Sequence, residues 1–231
     1  MVKEGEKVLR VNLIFRIQHI SLMVSALVLA VTGYALLMHK SEAGKFIINF
    51  LGGYESRALI HRISAIVLIA VCIWHYLYVL FSKKAHDEFL KIIPSISDVK
   101  DFFTTIAYYL GGKKSFPNFD KFNFIQKFQY WGVAVGMTAM IMSGLVLWFK
   151  DISMAVIPKW AIDTLMALHG YEGVVTFLVL FIWHQYNVHL NPSVFPMDRV
   201  WLDGMIDVER LRKEHPLEYD RLMSESAKGG R

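Results

Sequence analysis

The sequence predicts an all-α integral membrane protein, a four-helix bundle in which each helix spans the bilayer. Four apolar runs, at about residues 13–38, 59–81, 128–149 and 164–190, are each long enough to cross ~30 Å of hydrocarbon as a helix. Hydrophobic residues make up 55% of the 231, and mean hydropathy is positive. Basic residues are unevenly shared. Nineteen Lys and Arg fall in the N-terminal segment, the 83–127 connection and the C-terminal tail, against five in the two opposite loops. The positive-inside rule then places both termini in the cytoplasm and the chain in the cell inner (cytoplasmic) membrane. The formal charge of +5 follows from this topology. With no aromatic-interleaved basic patch in a soluble domain, nucleic acid is not an expected partner.

Taken in order, the first run is too long for a cleaved signal peptide and lacks a small-residue cleavage site, so it is expected to be retained. It opens with Arg16-Ile17-Gln18-His19 and reaches Thr32-Gly33 thirteen residues after the histidine; the third run opens with Lys127-Phe128-Gln129-Tyr130 and reaches Ser143-Gly144 at the same distance. The second and fourth runs share Ile-Trp-His, at 73–75 and 182–184. These matches describe two parallel two-helix repeats related by an axis along the membrane normal. The small residues beside hydroxyls suit close approach of a helix or of a flat macrocycle equally well.

Between the second and third runs, the sequence reads as one short amphipathic helix followed by a loop through Gly111-Gly112 and Pro117. Asn191-Pro192 and Phe195-Pro196 end the fourth run, and 200–223 reads as one interfacial or partner-contacting helix. The expected division is therefore a four-span domain over 1–199 and a cytoplasmic amphipathic tail over 200–231. Cys72 is the single cysteine, so disulfides, cysteine-held zinc, iron–sulfur clusters and covalently attached c-type haem are excluded within the chain.

The histidines carry the chemistry. His169 and His184 lie fifteen residues apart in the fourth run, which on an α-helix puts them within ~60° of each other and ~22 Å apart along the axis. His61 and His75 in the second run are fourteen apart, about 40° out of register and ~21 Å apart. Imidazole inside a membrane helix is costly and implies a function. Two helices offering imidazoles at two matching levels frame two stacked b-type haems, with both axial positions taken. His61 and His169 share the outer level. At the inner level His184 faces either His19 or His75, and the one not used is expected to bond a haem propionate or a quinone oxygen. His189, five residues on from His184, is turned ~140° away and is not expected on the same iron. A third haem between His75 and His189 stays open. His39, His86 and His215 fall at interfaces or in tails and are expected to be solvated. Arg57 and Arg62 stand where a propionate would want a cation, or where helix ends snorkel. Glu172, one turn past His169, is unusual at its depth; it could orient a haem, accept a proton at the outer side or pair with an arginine.

Several motifs together resemble the four-helix di-haem cytochrome b family that forms the membrane subunit of respiratory formate dehydrogenase, nickel–iron hydrogenase and thiosulfate reductase. They are Lys121-Phe122-Asn123-Phe124-Ile125-Gln126-Lys127-Phe128-Gln129-Tyr130-Trp131, Arg16-x-x-His19 with Thr32-Gly33, Arg57 before His61, Leu168-His169 with Gly173, and His215-Pro216-x-x-Tyr219. The resemblance implies one haem between His61 and His169 and another between His19 and His184, with Asn123 at an inner quinone site. Fifteen residues between the fourth-run histidines and the presence of His75 depart from the formate dehydrogenase pattern. A fourteen-and-fifteen spacing is instead similar to the quinol-oxidising cytochrome b of the b6f complex, which would pair His75 with His184. The stretch 183–197 is also similar to relatives that accompany multihaem c-type cytochromes.

The expected function is thus a membrane redox subunit that carries electrons between quinone or menaquinone and an extracytoplasmic iron–sulfur or multihaem cytochrome partner. Asn123, Gln126 and Lys127 would bind a quinone oxygen, although Gln126 and Lys127 would equally cap and anchor a helix. Two rivals remain: a stand-alone cytochrome b561-like transmembrane reductase, and a haem-free anchor whose histidines only brace helices.

Overall fold

The computed structural model describes residues 6–229, with side chains described to residue 225. Of the basic residues that set the expected orientation, Lys3 and Arg231 lie outside the described residues, and Lys228 lies outside the described side chains. In chain order the elements are β1 (Lys7–Leu9), α1 (Leu13–Leu37), α2 (Glu42–Phe50), α3 (Tyr54–Phe81), α4 (Lys83–Ile92), α5 (Ile96–Tyr109), α6 (Phe124–Trp148), α7 (Lys150–Ser153) and α8 (Lys159–Leu178). Two π-wound stretches, Val179–His184 and Tyr186–Leu190, continue α8; then come α9 (Val200–Asp203), β2 (Met205–Asp207), α10 (Val208–Glu214) and α11 (Pro216–Gly229). The four predicted spans are α1, α3, α6 and α8 with its π extension, 25 to 32 residues long. At 1.5 Å per residue each exceeds ~30 Å of hydrocarbon. The fold is an all-α membrane bundle with one short two-stranded ladder added.

Three expectations need correction. The α3–α6 connection holds two helices, because Ser82 caps α4 through Ala85 N and Ser95 with Asp98 forms a capping box on α5. Pro94, between them, cannot continue α4. The tail is broken into α9, β2, α10 and α11. Gly204 turns the chain at φ +78°, where a Cβ would strike the Val11 carbonyl oxygen, and Pro216 ends the run of α10. Finally, His215 is 3% exposed and not solvated.

The chain divides into two compact units. One consists of residues 17–77 and 133–198 and holds the bodies of all four spans. Tyr34 of α1 bonds the Gly173 carbonyl of α8 at 3.3 Å and meets Phe177 edge-on, while Arg62 of α3 lies 5.4 Å from the Trp148 ring of α6. Backbone-to-backbone approach between these spans is sparse, so they meet through side chains.

The other unit consists of the described residues of 1–16, 78–132 and 199–231. β1 pairs antiparallel with β2 in the register Lys7↔Asp207, Val8↔Ile206 and Leu9↔Met205. A buried polar knot ties the segments: Arg10 bonds Glu218 at 2.9 Å and the Lys121 carbonyl at 2.6 Å, and Lys121 pairs with Glu88. His215 Nδ1 meets the Asp120 carbonyl at 2.6 Å and Arg221 bonds the Asp120 carboxylate at 2.8 Å. Burial pushes the His215 imidazole down to about 4, helped by Arg10 and Arg210 and opposed by the Asp120 contacts. Burial alone would raise Asp120, but the Arg221 bond outweighs it and holds the carboxyl below its ordinary range.

Candidate cofactor site

The span-containing unit brings the predicted histidines together at two levels. At the first, His61 of α3 sits against Thr32-Gly33 of α1, with Nδ1 2.7 Å from Thr32 Oγ1. His169 of α8 sits against Ser143-Gly144 of α6, with Nδ1 2.9 Å from Ser143 Oγ. Each hydroxyl donates its own hydrogen back to its helix, Thr32 to Val28 O at 2.7 Å and Ser143 to Ala139 O at 2.7 Å. With the hydroxyl hydrogen on the helix carbonyl, its oxygen accepts from the imidazole, which is the Nδ1-protonated tautomer with its lone pair on Nε2. That is the form in which an imidazole ligates a metal, with its other nitrogen fixed by an outer hydrogen bond. Glycine follows each hydroxyl because a Cβ at Gly33 would touch His61 Cε1 at 3.6 Å and one at Gly144 would press on His169 Cε1 at 3.1 Å. His61 and His169 lie within electrostatic range of each other.

At the second level the His19 and His184 rings lie 6.1 Å apart, centre to centre, tilted by 50°. An iron bound by two imidazoles at about 2 Å places their ring centres about 6 Å apart. His75 is held differently: its Nδ1 is 3.0 Å from the Oε1 of the buried Gln18, so the ring donates to that amide. The winding of the fourth span also departs from the ideal helix. Val179–His184 and Tyr186–Leu190 are π-wound, and i→i+5 winding turns residues five apart less far from each other than α winding does. His189 lies within electrostatic range of both His19 and His184.

A family model described as prokaryotic cytochrome b561 matches residues 10–220. The chain belongs to this family. It is the family of nickel–iron hydrogenase cytochrome b that the sequence motifs resemble. Membership implies b-type haem and membrane electron transfer in a multi-pass prokaryotic protein. No curated protein gave a match.

The residues present fit such a group. Besides the imidazoles, Arg57 is buried in the same unit, with Nη1 on the Thr32 carbonyl at 3.0 Å. Its Nε has no hydrogen-bond partner among the described residues, a donor suited to a haem propionate. Arg62, by contrast, lies over Trp148. Among the described residues no cluster of three or more His, Cys, Asp or Glu exists that could hold a free metal ion.

The remaining candidates lie in the other unit. Asn123 and Gln126 form a reciprocal cap at the start of α6: Asn123 N donates to Gln126 Oε1 at 3.0 Å and Gln126 N to Asn123 Oδ1 at 2.9 Å. Lys127 pairs with Asp98 at 2.9 Å, both side chains being largely buried. Burial alone would raise Asp98, but its bonds to Lys127 and Ser95 lower it. Burial, and then the charge of Asp98, raise Asp101. Sequence reasoning missed Gln18 as the partner of His75 and Asp98 as the partner of Lys127. The thirteen-residue spacing to Thr32 and Ser143 did mark the hydroxyls, but not what they hold.

Proposed function

We propose that the chain is the membrane cytochrome b subunit of a respiratory redox complex, with one b-type haem between His61 and His169 and a second between His19 and His184. It exchanges electrons between quinone or menaquinone and an extracytoplasmic iron–sulfur or multihaem c-type cytochrome partner, in the inner (cytoplasmic) membrane with both termini cytoplasmic. The di-haem bundle is residues 1–199, and 200–231 form the cytoplasmic tail. The observation that carries this reading is the 6.1 Å separation of the His19 and His184 rings, beside a second imidazole pair with its Nδ1 positions already used.

A b-type haem held by the two imidazoles of a pair would supply a one-electron centre and leave no open site for oxygen. The chain's own residues do the rest. Thr32 and Ser143 fix the rings of His61 and His169 and make their Nε2 atoms more basic. Arg57 Nε would donate to a haem propionate. The apolar spans keep water from the interior. At the start of α6 the caps use the side-chain oxygens of Asn123 and Gln126. Their amide nitrogens are left as donors to a quinone oxygen, and Asp101, in electrostatic range of Lys127, exchanges the accompanying proton.

The test is reduction of the purified, haem-loaded chain by a menaquinol analogue in nanodiscs. Reduction by quinol, slowed at least tenfold in Asn123→Leu at unchanged haem content, is the expected result. Turnover of a small soluble electron acceptor without any quinone would favour a stand-alone cytochrome b561-like reductase. A folded, colourless protein would leave a haem-free anchor.

A further inference from the structure

Glu172 is a carboxylate that the imidazole pairs do not use. It lies thirteen residues from the start and eighteen from the end of the Lys159–Leu190 span, where an ionisable side chain is rare and costly without a function. The side chain faces the bundle. Its Oε1 is 3.3 Å from where a Cβ on Gly136 of α6 would stand, and Thr176 Oγ1 donates to it at 3.5 Å. Gly136 is the residue that leaves room for the carboxylate. Thr176 Oγ1 is also 3.8 Å from that Cβ position, so the carboxylate is level with Thr176, which is seven residues beyond His169 and eight short of His184. In depth it lies between the two imidazole levels.

The titratable groups around it are few. Along α8 there is His169, and along α6 residues 133–142 contain none. From α1 comes Tyr34, whose hydroxyl is bonded to the Gly173 carbonyl, and from α3 His61, at the level of His169. Among the described residues Glu172 forms no ion pair, so neither of the arginines near the histidines neutralises it. An electron entering the bundle adds a negative charge near a carboxylate that has no paired cation among the described residues, and a bound proton offsets the repulsion between the two.

Resting on the two-haem reading above, we propose that Glu172 is a redox-linked proton site between the two levels. It takes up one proton from water when an electron supplied by quinol or by the redox partner enters the bundle, and releases it when the electron leaves. One electron and one proton enter together, and net charge is unchanged.

Midpoint potentials of haem-loaded wild type, Glu172→Gln and Glu172→Asp between pH 6 and pH 9, with haem content measured on the same samples, test this. The wild-type potential should fall with pH, approaching tenfold per pH unit in the electron-transfer equilibrium, about 59 mV for one electron. Glu172→Gln should keep two haems with a flat profile, and Glu172→Asp should keep the slope. A flat wild-type profile, or an unchanged slope in Glu172→Gln, overturns the proposal. If Glu172→Gln loses haem while wild type holds two, Thr176→Val replaces it: a displaced pH window supports the role, and an unmoved one overturns it. Haem-free wild type would instead overturn the proposed function itself, a different result from a flat profile in loaded protein.

Discussion

The two imidazole levels are built on opposite uses of the same internal repeat. At the His61/His169 level the halves copy each other: hydroxyl, glycine and imidazole recur as Thr32, Gly33 and His61, then Ser143, Gly144 and His169, with matching bonds of 2.7 and 2.9 Å. At the His19/His184 level the copy is broken. The third span carries Tyr130 where the first carries His19, and His75, the repeat mate of His184, bonds Gln18 instead. A duplicated scaffold alone would pair His75 with His184. On the proposed pairing, one residue type in the first span moves the partner of His184 from α3 to α1, while the repeated level stays symmetric.

The largest expected effect comes from the symmetric level itself. His169→Ala should lower haem from two to one per chain by pyridine haemochrome assay, leaving the spectrum of the other level in place. Loss of both together would mean that the levels are not independent. Next in size is a contrast with the tail. His215 is held neutral when folded, its value pushed down to about 4 from 6.5. The unfolded tail therefore binds more protons between those values, and stability is complete above about pH 6.5 and lost as pH falls toward 4, amounting to about 3 kcal/mol in all. Hydrogen exchange should show α10 and α11 opening over that window while the haem spectrum holds. His215→Gln should remove the pH dependence.

Thr32→Val and Ser143→Ala should each weaken haem retention 10–100-fold in dilution or competition assays, because each frees an imidazole Nδ1. Equal losses in the two variants would sharpen the symmetry; a loss in only one would break it. Smallest of all, Gln18→Leu should leave haem content at two, since it releases His75 without touching either proposed pair.

Much of the bundle was legible in the sequence because membrane-length apolar runs have few other uses. The short elements were not. α2 is nine residues long, and its fit depends on Gly44 approaching the Met38 carbonyl, a contact distant from any periodic signal. β2 is three residues and exists only because β1, far away in sequence, pairs with it. The π winding of Val179–His184 and Tyr186–Leu190 was hidden for a different reason: 100° per residue holds only for an α-helix, so the ~140° between His184 and His189 overstates how far they diverge. At the site, depth along a helix sets His61 level with His169, and the two lie within electrostatic range of each other, but depth could not choose between His19 and His75, which fall equally far from their helix ends. The Asn123–Gln126 cap was readable as a polar residue followed three later by glutamine. His215 looked solvated because a charged tail gave no sign of the knot around Lys121 that buries it.

The measurement that bears most directly on the broken repeat is haem content per chain, with a reduced-minus-oxidised spectrum, in wild type, His19→Ala and His75→Ala. Two haems in wild type, one in His19→Ala and two in His75→Ala are the predicted values. Two in His19→Ala and one in His75→Ala would contradict the pairing of α1 with α8 and restore the symmetric arrangement in which α3 and α8 hold both.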